Sequence, residues 1–172
     1  MANLNISNES PEIDKLIMNT MNSNKIPGAI IGIWDNSTNT EKYLKKSYGL
    51  SNIELNTPTN INMHFRIASI TKSFVSVTIL ILVDKGKLSL DTTLDKFNFL
   101  RKINIDNKNK ITVRNLLNMT SGIYSYTNNT EFVDRINRNP TLNFNTSEVI
   151  DMINNKPAVD SPGTRFDYSD TN

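Results

Sequence analysis

Cysteine is absent from the 172 residues, which rules out disulfides and thiolate metal sites. Histidine occurs once, at His64, so a histidine-rich metal centre is ruled out as well. No separate Ser-His-Asp arrangement is visible, which leaves His64 as a structural or rim residue. An excess of one charge is missing too. The 19 Lys and Arg against 17 Asp and Glu leave a net charge of +2, too little to steer the chain to nucleic acid or a charged membrane surface. The clusters Lys45-Lys46 and Lys108-Asn109-Lys110 are isolated and read as solvated loops.

The segment Met1 to Ser10 is polar and carries neither a basic n-region nor an apolar h-region, so nothing in it directs secretion and the default placement is cytoplasmic. The longest apolar run, Phe74 to Val83, is interrupted by Ser76 and Thr78 and is far below the ~20 residues that span a bilayer. What the chain has in quantity is asparagine, about one residue in six, without blocks or repeats. That is a compositional bias rather than a low-complexity segment. The length suits one ordinary domain or part of a larger one.

Several elements follow from local pattern. Ser10-Pro11-Glu12 reads as an N-cap, a first-turn proline and an acidic first turn, opening a helix to about Asn24 with Ile13, Leu16, Ile17 and Met21 on one side. Ile26-Pro27-Gly28 breaks it. Ala29 to Trp34 and Tyr43 to Tyr48 then read as a hairpin about a turn from Asp35 to Asn39, followed by a polar loop from Gly49 to Asn62. After Gly86 come short helices and connections: Leu88 to Asp91, a polar stretch to Lys110, and a short helix capped by Thr112 that ends before Thr120-Ser121-Gly122. Ser121-Gly122 is the expected terminator. Thr146 to Asn154 is amphipathic, and Ser161-Pro162-Gly163-Thr164 is a turn by composition.

Chemistry concentrates at Ser69-Ile70-Thr71-Lys72. A Ser-x-x-Lys match alone carries no weight, because about one is expected by chance in a chain of this serine and lysine content. Its setting is what matters. Ser73 to Val83 is apolar on nearly every face and stops at Lys85-Gly86, the pattern of a buried helix with a glycine C-terminus. Residues three apart on a helix lie about 5 to 6 Å from one another at Cβ, so Lys72 can reach the Ser69 hydroxyl. A neutral lysine can take a serine's proton, and burial would lower its pKa toward that state. The other reading is that Ser69 caps an ordinary core helix and Lys72 is solvated. These residues alone leave both open.

The order of motifs carries a resemblance. Phe65-Arg66-Ile67-Ala68-Ser69-Ile70-Thr71-Lys72, Gly86-Lys87-Leu88-Ser89-Leu90-Asp91, Ile111 to Gly122, and Pro162-Gly163-Thr164-Arg165-Phe166-Asp167-Tyr168-Ser169-Asp170-Thr171-Asn172 together resemble the serine beta-lactamase-related family. That family includes class C beta-lactamases, D-alanyl-D-alanine carboxypeptidases, D-aminopeptidases and related esterases. The resemblance implies an α/β (α+β) fold of the beta-lactamase/transpeptidase type, an antiparallel sheet flanked by helices with a helical subdomain. Residues 1–25 would be an N-terminal tail and helix. Residues 26–172 would be an incomplete domain, with a hairpin at about 29–48, a catalytic helix at about 69–85 and a helical region at about 86–172.

By position, the resemblance makes Ser69 the acylated nucleophile, Lys72 its proton-accepting partner and Tyr168 the tyrosine that shuttles a proton to the leaving group. Asp170 stands at the family's substrate-binding asparagine. An aspartate cannot donate the amide N-H, and its charge would tend to hold Lys72 protonated. Without the Ser69 context, Tyr168 reads rather as a core tyrosine and Asp170 as a cap or turn residue. The implied function is a serine hydrolase acting on a small-molecule or peptide-like amide or ester through a Ser69 acyl-enzyme, with no metal or organic cofactor. The family's third element, Lys-Thr-Gly or His-x-Gly on a later strand, is not in these residues. The chain therefore reads as the N-terminal half of such an enzyme, truncated before the C-terminal strands and impaired unless a second polypeptide supplies them. The alternative is a non-catalytic remnant or binding protein.

Overall fold

The computed structural model describes residues 11–35 and 42–172. The expected Ser10 cap, and the hairpin turn beyond Asp35, lie outside the described residues. The chain divides into two compact units, Met1–Ile67 and Ala68–Asn172.

In the first unit, helix α1 (Pro11–Asn24) begins at the proline that the sequence placed in its first turn. Ile13 and Met21 are buried, but Leu16 is exposed, so the apolar side is narrower than the spacing suggested. The helix ends through Lys25, whose φ is 54°, and Ile26 N-H donates to Met21 O at 2.9 Å. Strands β1 (Gly28–Asp35) and β2 (Lys42–Asn52) pair antiparallel from Gly28↔Gly49 to Asp35↔Lys42. That register places Ile33 opposite Leu44, Ile31 opposite Lys46 and Ala29 opposite Tyr48 on one face. Leu44 is fully buried. The Asp14 carboxylate of α1 accepts from Lys46 Nζ at 2.9 Å and from Tyr48 Oη at 2.6 Å, tying the helix to this face. Lys45-Lys46 therefore belongs to a strand, and Lys46 is paired rather than solvated. The opposite face carries Trp34 and Tyr43, both exposed.

The loop expected from Gly49 to Asn62 is partly strand. β2 runs to Asn52, and a two-residue β3 (Thr57–Pro58) completes a three-stranded antiparallel sheet in the order β1-β2-β3. A two-residue strand containing proline has no periodicity to detect, and proline is tolerated there because β3 lies at the sheet edge.

The second unit is helical. A 3₁₀ turn, Ala68–Ile70, leads into α2 (Thr71–Asp84). The helix closes as the glycine implied: Gly86, at φ +65°, donates to Val83 O at 2.9 Å, and Lys87 N-H donates to Leu82 O at 2.9 Å. This is a Schellman termination. The expectation that α2 is buried fails, since none of its residues is buried and Phe74, Val77, Leu80 and Ile81 are exposed. An all-round apolar helix needs cover on every side, and the described residues of its own unit do not provide it.

Beyond α2, Leu88 to Asp91 forms no helix. The polar-looking stretch to Lys110 contains 3₁₀ turns at Leu94–Lys96 and Asn98–Leu100. It also contributes Leu94, Leu100 and Ile105 to a core completed by Ile111, Ile123 and Ile153. Lys108 is not a solvated loop residue, because its ammonium donates to Leu100 O at 2.9 Å and to Ile103 O at 2.7 Å. Three helices follow: α3 (Val113–Leu117), α4 (Thr130–Arg138) and α5 (Thr146–Ile153). The α3 cap is the expected Thr112, which accepts from Asn115 N-H, and the Asn115 side chain reciprocates at the Thr112 backbone. Thr112→Ala should lower stability by about 1 kcal/mol, measured by urea denaturation; a change below a few tenths would show that the box contributes nothing. α4 has no distinct signal in the sequence. Its cap is Asn129, which accepts from Glu131 and Phe132 N-H, a signal hidden by the abundance of asparagine.

Candidate active site

Ser69 lies in the 3₁₀ turn one residue before Ile70, the N-cap of α2, and no side chain caps that helix. The capping reading of Ser69 is therefore excluded. Ala68, immediately before it, holds φ 43°, a left-handed conformation that costs an alanine of order 1 kcal/mol and that clusters at functional sites. Ser69 Oγ is instead 2.6 Å from Tyr168 Oη and accepts from Lys72 Nζ at 3.3 Å. Lys72, the second residue of α2, also donates to Asp170 Oδ1 at 2.7 Å and sits 5.0 Å from the centroid of the Tyr168 ring. All four residues singled out in the sequence thus meet in one cluster. Tyr168 is 49 % exposed, which excludes the core-tyrosine reading.

The electrostatics differ from those expected of a lysine awaiting a proton. Desolvation, the largest single influence on Lys72, pulls its pKa down. The hydrogen bonds and charge interactions with Asp170 and Tyr168 outweigh it, and the net displacement is upward. Tyr126 lies close enough for its own pKa to be raised, first by burial and then by the Asp170 charge.

Asp170 is placed by a latch that the sequence did not disclose. Its backbone N-H donates to Ser125 Oγ at 3.1 Å. Thr171 Oγ1 donates to Tyr124 O at 2.8 Å and accepts from Tyr126 N-H at 3.0 Å. Ser121 Oγ donates to Asn172 Oδ1 and accepts from Ile123 N-H at 3.1 Å. Ser121 is almost fully buried, and it does not terminate α3, which ends earlier at Leu117 with Met119 at φ 58°. Gly122 is required there: at φ +70°, a Cβ would lie 2.1 Å from Asp160 O. The Ser, Thr and Asn residues of 121–127 and 169–172 were the available signal. Their side-chain chemistry is visible in the sequence, but their pairing across more than forty residues is not. His64 is exposed. Among the described residues, no group of three or more acidic, histidine or cysteine side chains is placed to hold a metal.

A cavity of about 880 Å³ runs from this cluster beneath α2. Ser69, Lys72 and Asp170 contribute to its lining, and most of the remaining wall is apolar, including Val75, Ile79, Leu94 and Ile123. Leu94 and Ile123 also belong to the helical core, so part of this volume is unfilled core space.

Comparison with known proteins agrees with the order of motifs. The beta-lactamase family profile matches residues 13–172. The protein flp of Staphylococcus aureus (strain N315) is 33% identical over 170 residues, which is 97% of this chain and 32% of that protein. A penicillin-binding protein homologue from Pyrococcus abyssi, octameric in its structure, superposes with a TM-score of 0.74 at 32% identity, covering 93% of this chain and 36% of its own. A class C beta-lactamase superposes at 0.69 with 24% identity, covering 99% and 43%, a likeness of fold. The chain spans about a third of the length of the curated relatives it first matches, and its strands and helices form part of a beta-lactamase/transpeptidase-like fold.

Proposed function

Because the chain belongs to the beta-lactamase family, we propose that it contributes the nucleophile of a serine hydrolase that opens an amide or ester bond through an acyl-enzyme on Ser69. The observation that carries this reading is the uncapped Ser69 hydroxyl held 2.6 Å from Tyr168 Oη and 3.3 Å from Lys72 Nζ. In the reaction Ser69 Oγ attacks the carbonyl carbon while its proton passes to the Lys72–Tyr168 pair. The same pair returns that proton to the departing amine or alcohol. Water then repeats the sequence on the acyl-enzyme and frees Ser69. The N-terminal end of α2 adds a positive dipole beside the developing oxyanion.

The substrates proposed are small-molecule or peptide-like amides and esters. Full turnover is proposed to need the part of the fold that the relatives carry beyond this span, supplied by a continuation or by a second polypeptide. Among the described residues, no helix is long and apolar enough to cross a membrane. The exposed apolar surface of α2 favours a second reading, in which the chain is a binding or remnant form of the fold without turnover. Intact-mass measurement after incubation with a fluorophosphonate or a penicillin separates the two. A single adduct mapped to Ser69 is expected, and an unmodified chain at every concentration and pH tried would remove Ser69 from the mechanism.

A further inference from the structure

Among the described residues, Lys72 makes a single ion pair, to Asp170 at 2.7 Å, with 31% of the lysine side chain and 28% of the aspartate side chain exposed. The pair is thus mostly sheltered from water, where a charge contact is screened least. The carboxylate cannot swing away easily. Its own backbone is pinned to Ser125, its Oδ2 lies 3.4 Å from Thr127 Oγ1, and Thr171 beside it is bonded to Tyr124 and Tyr126. The titratable groups that influence Lys72 are Asp170 and Tyr168 on the C-terminal segment, and Lys72 in turn acts on Tyr126 on the 3₁₀ turn at Tyr126–Asn128. Among the described residues, the one carboxylate that faces the ammonium is that of Asp170.

Resting on the Ser69 acyl-enzyme reading, we propose that Asp170 is a charge-setting positioning residue. Its fixed carboxylate keeps the Lys72–Tyr168 pair fully protonated at neutral pH, so that Ser69 is acylated efficiently only on the alkaline side. The proton balance requires this. With Lys72 an ammonium and Tyr168 a phenol, neither can receive the Ser69 proton. The pair must first lose one proton to solvent, after which it accepts one from Ser69 as the Oγ–carbonyl bond forms. An asparagine at position 170 removes the charge that opposes desolvation. Lys72 then gives up its proton at lower pH.

The test has two readouts. The first is the rate of Ser69 labelling by a fluorophosphonate across pH 6 to 11, for wild type, Asp170→Asn and Asp170→Glu. The wild-type rate is expected to climb into the alkaline range. In Asp170→Asn the midpoint should fall by about one pH unit or more. Asp170→Glu, which keeps the charge, should stay nearer to wild type. The second readout is NMR titration of ¹³C-labelled lysine side chains, with Lys72 identified by its loss in Lys72→Met. It needs no activity, and the wild-type titration does not depend on Asp170→Asn folding. Lys72 should titrate above the ordinary lysine value in wild type and below its wild-type value in Asp170→Asn. Coincident labelling profiles for wild type and Asp170→Asn, or a wild-type Lys72 that titrates below the ordinary value, would overturn the proposal. Absence of Ser69 labelling in every protein would count against the acyl-enzyme reading, while the NMR titration would still decide the role of Asp170.

Discussion

Ser69→Ala is expected to abolish covalent labelling and to lower any ester turnover by about 10⁴-fold or more, the scale on which serine nucleophiles fail when removed. The variant should nevertheless fold as well as the parent. Ser69 caps no helix, and its hydroxyl gives up two hydrogen bonds, a short one with the half-exposed Tyr168 and a longer one from Lys72, a net loss of about 1 to 2 kcal/mol. Activity and stability must therefore separate, which tells a nucleophile from a structural serine. Turnover of a p-nitrophenyl ester and urea denaturation of the two proteins make the comparison. Undiminished turnover by the alanine variant would exclude Ser69, and a collapse of stability would make it structural.

The second large effect is on the physical state of the purified 172-residue polypeptide, which is expected to be marginally stable and self-associating. Folding leaves a net ~5 to 15 kcal/mol. Here α2 presents Phe74, Val77, Leu80 and Ile81 uncovered, and a cavity of about 880 Å³ with largely apolar walls lies under it. Unfilled volume forfeits dispersion contacts, and a contiguous exposed apolar face drives association. Sedimentation velocity should find oligomers, and thermal unfolding should be broad. Phe74→Lys and Leu80→Lys should raise the monomer fraction without further loss of helix, because both side chains already face solvent. A cooperative monomer, with ester turnover comparable to that of complete relatives, would show that this portion of the fold is self-sufficient.

Much of this was legible wherever the determining physics is local. The Thr112 cap, the Gly86 termination of α2, the proline start of α1 and the β1–β2 hairpin depend on residues close in sequence. The i, i+3 spacing likewise brings Lys72 within reach of Ser69 once the segment coils. Helix α4 is hidden in the sequence because Asn129 caps it in a chain where asparagine is everywhere. β3 is hidden because two residues carry no period.

What the sequence by itself determined is the identity of the polar groups and the local turns that present them: a serine and a lysine at the head of one apolar helix, and a tyrosine and an aspartate two residues apart in a polar segment near the C-terminal end. Only the tertiary structure decided that Tyr168 meets Ser69, that Asp170 rather than solvent is the partner of Lys72, and that the Ser121, Ser125 and Thr171 latch holds them there. It also decided that α2, apolar on nearly every side, lies uncovered. The reason is common to all four. Apolar residues specify a demand for burial and polar ones a demand for partners, but what meets either demand depends on segments about forty to a hundred residues away, and nearest-neighbour preferences contain no information about that distance.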